Sequence, residues 1–360
     1  MTVVDDLYLS IGNQTIWGWE TIRLTRGIER CPTDFDVTMT EKIAFNLNPV
    51  TVHPGDECQI QFGNDIVMTG YVNRFVPSIS ADTHTVQAAG RGKCQDLVDC
   101  SAVWPNGQIS GTSAAALASN LAAYYGIEVR CDVKDLIRIP QFNVFIGETP
   151  FEIIERVSRY SQLLVYDEPD GNLRLARLND TVHAAGGVIQ GKNVQAASIA
   201  YSDEERFSDY GCFAQSVNSF SDAGVGNQVI AWANDPGVKR KRERLIVAEI
   251  QQGFLDLVQL RANWERNRRA GRSAVVSVTI DSWRDAAGAL WTPNTLVRVE
   301  LPALHLDSED WLIAEVTYRR SLEMGTTCDL VIMHPDAFQP EPIAILPTFV
   351  NGADFSQNYR

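Results

Sequence analysis

Apolar and polar residues alternate with period two along much of the first hundred positions: at Phe35, Val37 and Met39, at Cys58, Ile60 and Phe62, at Val67, Thr69 and Tyr71, and at His84, Val86 and Ala88. Between these runs lie Asn48-Pro49, Pro54-Gly55-Asp56, Gly63-Asn64-Asp65 and Ala81-Asp82, residues that favour tight turns. Short strands at this spacing predict an antiparallel barrel or sandwich. The period changes near residue 105. Thr112 or Ser113 stands where an N-cap belongs, before Ala114, Leu117, Leu121 and Ala122, and Gly126 would end that helix. A second helix is announced more strongly by Thr149 as N-cap, Pro150 as first helical residue and Glu152 as the acid returning to the cap, with Phe151, Ile154, Val157 and Ser158 on one face. Leu163 to Tyr166, a Pro169-Asp170-Gly171-Asn172 turn and Leu173 to Leu175 then predict a hairpin.

Further on, residues 186–225 read as glycine-punctuated short strands, 226–237 as a link, and 251–270 as a helix with Phe254, Leu257, Val258 and Ala262 on one side. Strands resume at Val276, Val278 and Ile280, at Val297 and Val299, at Leu312, Ala314 and Val316, and at Cys328, Leu330 and Ile332. From Phe338 the chain loses periodicity and carries Pro340, Pro342 and Pro347, the pattern of an extended arm. The two strand-rich stretches resemble each other: Pro54 to Gln61 matches Pro293 to Glu300, Ile66 to Arg74 parallels Trp311 to Arg319, and Thr83 to Gln87 parallels Thr327 to Val331. The predicted fold class is therefore mainly β with an α+β insertion: two similar antiparallel β-barrel domains, a small α/β domain and a helix preceding the second barrel. The expected boundaries are 1–104 with 186–225 for a discontinuous first barrel, 105–185 for the insertion, 226–337 for helix and second barrel, and 338–360 for the arm.

The chain has 360 residues, with 31 Lys and Arg against 45 Asp and Glu, a net charge of −14. That balance argues against a general binder of nucleic acid or anionic membrane, both of which neutralise phosphates with basic residues. No run approaches the 18 or so apolar residues of a membrane span, so membrane insertion is not expected. Met1 to Asp6 offer neither the basic nor the apolar region of a secretory signal, and folding in a cytoplasm is expected. Seven scattered cysteines without a Cys-x-x-Cys pair read as reduced thiols.

Catalytic constellations are hard to find. There is no Gly-x-Ser-x-Gly elbow and no His-Glu-x-x-His. Gly90-Arg91-Gly92-Lys93 has the look of a phosphate loop, but Gln87 occupies the first glycine position and Cys94 the Ser/Thr position, so a turn is the better account. The five histidines (His53, His84, His183, His305, His334) lack ligand spacing, and Asp307, Glu309 and Asp310 read as a solvated hairpin turn rather than as paired catalytic acids or a calcium loop. No catalytic, cofactor or metal residue is predicted. Charge is unevenly spread, however. Residues 239–272 hold ten bases against four acids, and Arg240, Arg242, Arg261, Arg268 and Arg269 are the candidates for a subunit interface that meets a neighbour's carboxylates.

The order of parts is similar to that of the baseplate hub proteins of contractile-tailed bacteriophages, the Mu-like and P2-like late-control group, and to the N-terminal part of type VI secretion spike proteins. The residues that carry the resemblance are Gly90 to Ala102, Gly147 to Tyr160, Leu163 to Leu175, Trp311 to Tyr318 and Gly325 to Leu330, with Gly147, Thr149, Pro150, Asp170 and Gly171 as its motif positions, and it spans roughly residues 1–337. It implies a structural protein of the virion's tail baseplate, assembled in the host cytoplasm: a homotrimer whose barrels ring the axial channel. The partners implied are the hexameric tail tube protein, the trimeric central spike protein, the tape-measure protein and neighbouring baseplate proteins, with DNA passing unbound. Two barrels in each of three chains make six similar units, which explains how a trimer can meet a sixfold tube. With no sequence after residue 360, the spike is expected as a separate protein. A reading of a different class is a tail-tip cell-wall-degrading enzyme, or a carbohydrate-binding module using Trp17, Trp19, Trp104 and Trp283 as stacking platforms.

Overall fold

The computed structural model describes residues 6–40, 52–81, 83–104, 107–139, 142–215, 228–248 and 255–342. The first strand-rich stretch forms β1 (Leu7–Ile11), β2 (Gln14–Ile16), β3 (Thr21–Gly27), β4 (Arg30–Thr40), β5 (Glu57–Phe62), β6 (Asp65–Ile79) and β7 (His84–Gly92). The insertion follows, with α1 (Gln95–Asp99), β8 (Gln108–Ile109), α2 (Ala114–Ala123), β9 (Val129–Cys131), β10 (Phe142–Asn143), α3 (Pro150–Tyr160), β11 (Leu164–Asp167) and β12 (Leu173–Ala176). Next come β13 (Val188–Ile189), β14 (Val194–Tyr201), β15 (Asp209–Gln215), β16 (Gln228–Asn234), β17 (Glu243–Ala248) and α4 (Leu255–Arg272). The chain closes its regular structure with β18 (Ala274–Ile280), β19 (Thr295–Leu301), β20 (Leu306–Ser321) and β21 (Gly325–Met333).

Thirteen strands join in one sheet along the path β14-β18-β21-β20-β3-β4-β7-β6-β5-β1-β2, with β19 and then β13 attached beside β20. Its two halves match strand for strand. β5-β6-β7-β4-β3 in the first corresponds to β19-β20-β21-β18-β14 in the second, and the irregularities of two ladders agree, whereas the β3–β4 ladder shifts at Arg26 and the β14–β18 ladder at Gln195. The β5–β6 ladder slips between Ile60 and Gln61 and the β19–β20 ladder between Val299 and Glu300. The β6–β7 ladder bulges at Asn73, the β20–β21 ladder at Ala314. Bulges mark places where a strand must bend, so matched bulges are evidence of one architecture used twice. They confirm the alignment of Pro54 with Pro293 but correct the other two: Arg74 corresponds to Glu315, not to Arg319, and Gln87 to Asp329, not to Val331.

The alternating residues of β4, β5, β7, β18, β19 and β21 turn inward as their period requires, and a single apolar core runs through both halves. Phe62 stacks on Trp283 with ring centroids 4.1 Å apart, and Tyr318 meets both rings edge-on, so aromatic packing ties the first half to the second. In β6 the pattern misleads. A slip near Val67 buries Val67 and Met68 together and turns Thr69 and Tyr71 to the outer side, because an extra residue inverts the faces beyond it.

Two segments are placed differently from the sequence reading. Residues 188–201, assigned there to the first unit, pair with the second: β13 runs parallel to β19 and β14 antiparallel to β18. The expected link at 226–237 holds strand β16, whose Ile230 to Ala233 alternate between two faces. β16, β15 and β17 form a separate three-stranded sheet that packs on α4 through Tyr210, Cys212, Ala233, Val258 and Ala262.

The insertion is built as its caps dictate. Thr149 Oγ1 accepts from the Glu152 N–H and the Glu152 carboxylate accepts from the Thr149 N–H, while Ser113 caps α2. Ile153, Ile154 and Val157 of α3 and Leu117, Leu121 and Ala122 of α2 fill a core with the β11–β12 hairpin, which lies against β9. Of the expected arm, Phe338 is buried and the Gln339 carbonyl accepts from Trp264 Nε1 at 2.6 Å, so its first residues dock on α4. Residues 343–360 lie outside the described part.

Candidate assembly interface

The two halves meet where the second part of β20 pairs antiparallel with β3. Glu315, Val316, Thr317, Tyr318, Arg319 and Arg320 stand opposite Gly27, Arg26, Thr25, Leu24, Arg23 and Ile22. β20 is long enough to serve two neighbours on one edge: its opening residues pair with β19, its closing ones with β3. Side chains reinforce the joint. The Thr25 and Thr317 hydroxyls are bonded at 3.1 Å, the Arg30 guanidinium donates to Glu315 at 3.1 Å, and Ile28 N–H donates to the Ala314 carbonyl. Gly27 eases the crossing, since a Cβ there would lie 3.2 Å from the Ala314 carbonyl oxygen, tighter than most such contacts. Arg284–Asp65 at 2.6 Å and Arg320–Asp6 at 3.0 Å also bridge the halves.

The same position exists a second time, without a partner strand. β6 corresponds to β20, and beyond Val72 its outer edge is paired with no strand among the described residues. β14 corresponds to β3, and among the described residues it pairs only with β18. Large apolar side chains are exposed at both edges: Val76 and Ile79 on β6 at 37% and 85%, Tyr201 on β14 at 62%. Their counterparts in the internal joint, Thr317, Arg320 and Arg26, include two of the buried polar residues of the fold. A further apolar surface lies on the β16-β15-β17 sheet, where Ile230, Trp232, Leu245 and Val247 are exposed on the side away from α4.

The basic window is largely neutralised within the chain. Arg240 bonds Asp203 at 2.9 Å, and Arg242 reaches the Asp203 and Glu204 carbonyls. Arg261 pairs with Glu265 and Glu341, Arg268 with Glu29, and Arg269 with Glu205 and Glu265. Arg268 and Arg272 also donate to the Ala337 carbonyl. These arginines fasten α4 to the turn after β14, to Glu29 and to the start of the C-terminal segment. Asp235 serves the same region: burial opposes its charge, but the Arg206 fork at 2.6 and 3.0 Å and the Gly237 N–H outweigh it and hold its carboxyl below the ordinary range.

The motif positions are structural. Gly147 and Gly171 have φ of +99° and +84°, Asp170 accepts from Asn172 and pairs with Arg130 at 2.6 Å, and Thr149 and Pro150 open α3. Gly90-Arg91-Gly92 is strand, not phosphate loop, and Lys93 donates to the Gly126 carbonyl. Asp307, Glu309 and Asp310 lie on the opening of β20 rather than in a turn, because the ladder with β19 extends that far. Trp19 and Trp283 are core residues, which removes two of the four proposed stacking platforms. Among the described residues no group of His, Cys, Asp or Glu is arranged to hold a metal, and no helix is long and apolar enough to cross a membrane.

Comparison with known proteins places each part. Residues 6–92 match the N-terminal domain of the Mu phage baseplate assembly protein GpP-like family, 94–177 the second domain of the gp44-like baseplate hub proteins, and 256–341 the fourth domain of the Mu phage baseplate assembly protein GpP. The baseplate hub protein gp44 of Escherichia phage Mu is 29% identical over 308 residues, which cover 83% of this chain and 80% of that one. The 43 kDa tail protein of prophage MuSo2 from Shewanella oneidensis superposes with a TM-score of 0.82 at 29% identity, over 93% of this chain and all of that one. A type VI secretion component from E. coli shares the fold at 11% identity, with a TM-score of 0.58 over 93% of this chain and 80% of that one. Duplicated half-sheets, an inserted α/β unit and these matches in the same order agree: this is a baseplate hub protein of a bacteriophage tail, similar to those of Mu-like phages.

Proposed function

We propose that three copies of this chain form a ring at the end of the tail tube, joining a sixfold tube to a threefold central spike and leaving an axial channel for the tape-measure protein and DNA. The observation that carries this reading is the internal match of the sheet, five strands in the same order with the same slips in two of their ladders. Two equivalent halves per chain supply six equivalent positions in a trimer, whereas the insertion and the α4 sheet occur once per chain and keep threefold symmetry. The role is mechanical, without a reaction, in keeping with relatives named as baseplate and tail proteins. A net charge of −14 suits a channel that DNA crosses without sticking. Assembly takes place in the host cytoplasm, and tube, spike and adjoining baseplate proteins are the partners.

Multi-angle light scattering on the purified chain, with and without the spike protein of the same phage, tests the reading. A mass of three times the 40.0 kDa chain is expected, and a persistent single chain in both conditions would overturn it. Release of peptidoglycan fragments by the purified protein would overturn the non-catalytic role.

A further inference from the structure

Given the three-copy ring, on which this inference rests, we infer that neighbouring chains join by an antiparallel strand pair between the outer edge of β14 in one copy and the far half of β6 in the next, in the register of the internal β3–β20 joint. The register follows from the matched bulges. Asn73 corresponds to Ala314, so Phe75, Val76, Pro77, Ser78 and Ile79 correspond to Val316, Thr317, Tyr318, Arg319 and Arg320. On the other side, Thr38 of β4 corresponds to Thr279 of β18, and through their partners Ile22, Arg23, Leu24, Thr25 and Arg26 correspond to Ala197, Ser198, Ile199, Ala200 and Tyr201. Transferring the internal pairs puts Phe75 opposite Tyr201, Val76 opposite Ala200, Pro77 opposite Ile199, Ser78 opposite Ser198 and Ile79 opposite Ala197.

Backbone direction agrees independently. Ser80 N–H bonds inward to the Thr83 carbonyl, so by alternation the peptide groups of Phe75, Pro77 and Ile79 face outward on β6. Ser202 N–H bonds to the Ser273 carbonyl on the β18 side, so those of Ala197, Ile199 and Tyr201 face outward on β14. The two outward sets are the ones the transferred register places face to face. Five of the six possible hydrogen bonds can form, the sixth being lost to Pro77, which has no N–H. A proline and few residues on an exposed edge also limit indiscriminate strand addition while the chain is free. Pairing covers Val76, Ile79 and Tyr201, and it brings Arg74 opposite Ser202, beside the exposed Asp203 and Glu204. Each chain offers one edge of each kind, so the contact is head-to-tail, the kind that closes into a three-copy ring when neighbours are related by a third of a turn.

Ser78→Cys combined with Ser198→Cys tests the register, because those residues form a pair whose peptide groups face away from each other, where side chains approach most closely. Mild oxidation should give covalent two- and three-chain species on a non-reducing gel, with neither single variant doing so and with Ser78→Cys plus Ala200→Cys giving at least tenfold less. Ile199→Pro removes an outward N–H together with a side chain partly packed on the core, and should turn the three-chain mass into a single-chain mass while the circular dichroism spectrum keeps its folded form. A trimeric mass without the Ser78–Ser198 cross-link, or a trimer that survives Ile199→Pro, overturns this joint and leaves the ring reading standing. A single-chain mass for the parent protein with and without spike overturns both.

Discussion

Asp167 is almost wholly buried at the end of β11, where its carboxylate accepts from the Thr33 N–H at 2.8 Å and the Thr33 hydroxyl at 2.9 Å, fastening the insertion to β4. Gly92 leaves room for it, since a Cβ there would stand 2.5 Å from the carboxylate. Burial raises the pKa of Asp167 despite those bonds and the nearby Arg26. A raised carboxyl binds its proton in the fold before the unfolded chain does, so its unfavourable contribution at neutral pH is relieved as pH falls from the raised value toward the ordinary Asp value. Urea midpoints measured from pH 7 down to the ordinary Asp value of about 3.9 should therefore show the parent gaining stability relative to Asp167→Asn on acidification, whereas Asp167→Ala should cost about 1–3 kcal/mol at neutral pH by orphaning both Thr33 donors. Asp235 has the opposite sign: its stabilisation is present above the ordinary Asp value and lost as pH falls through its lowered one. The cysteines divide by exposure. Cys31, Cys100 and Cys131 are half-buried, burial pushes Cys58 up to about 12, burial also raises Cys212 and Cys328, and Cys31 is raised by its bond to the buried Cys94. Titration with a disulfide reagent should count at most three thiols in the native protein, with Cys31 the slowest of them, and seven after unfolding.

At the scale of elements, the capping box of α3 offers a clean measurement. Thr149→Ala should lower stability by about 1 kcal/mol without altering the mass of the assembly, read as a shift in the unfolding midpoint. Gly90→Ala should cost more, roughly 2 kcal/mol, because a Cβ there collides with the Tyr71 carbonyl across the β6–β7 ladder and with the Phe35 ring. α3 and the hairpin were legible in the sequence because caps, turn residues and period all act within a dozen positions. β16 and β17 were not: β16 lies in the expected link and β17 in the basic window, where Leu245 and Val247 are outnumbered by charge. β6 was found, but its faces beyond Val67 were misjudged, because a slip in a ladder depends on the partner strand and leaves no mark in the strand's own sequence.

Across the whole molecule, the basic window shows how charge read from sequence changes meaning in the fold. Ten bases in 34 positions suggested a contact with a neighbour's carboxylates, and Arg240, Arg261, Arg268, Arg269 and Arg272 pair with Asp203, Glu341, Glu265, Glu29 and Glu205 of the same chain. Apolar strand edges and the exposed face of the β16-β15-β17 sheet are further surfaces open to a partner. Association through strand edges and apolar contacts predicts a trimer that persists when salt is raised from 0.1 M to 1 M, conditions that shrink the Debye length from about 10 Å to about 3 Å. Light scattering across that range checks it, and dissociation at high salt would return the argument to ion pairs. The sequence by itself determined the strand-rich character, the capped helices, the hairpin and the repetition of one strand pattern, since each depends on neighbours close along the chain. Only the tertiary structure decided that both halves share one sheet and core, that β13 and β14 belong with the second half, and which edges stay open. Those outcomes depend on pairings between residues hundreds of positions apart, such as Thr25 with Thr317, and on bulges that set the register between strands.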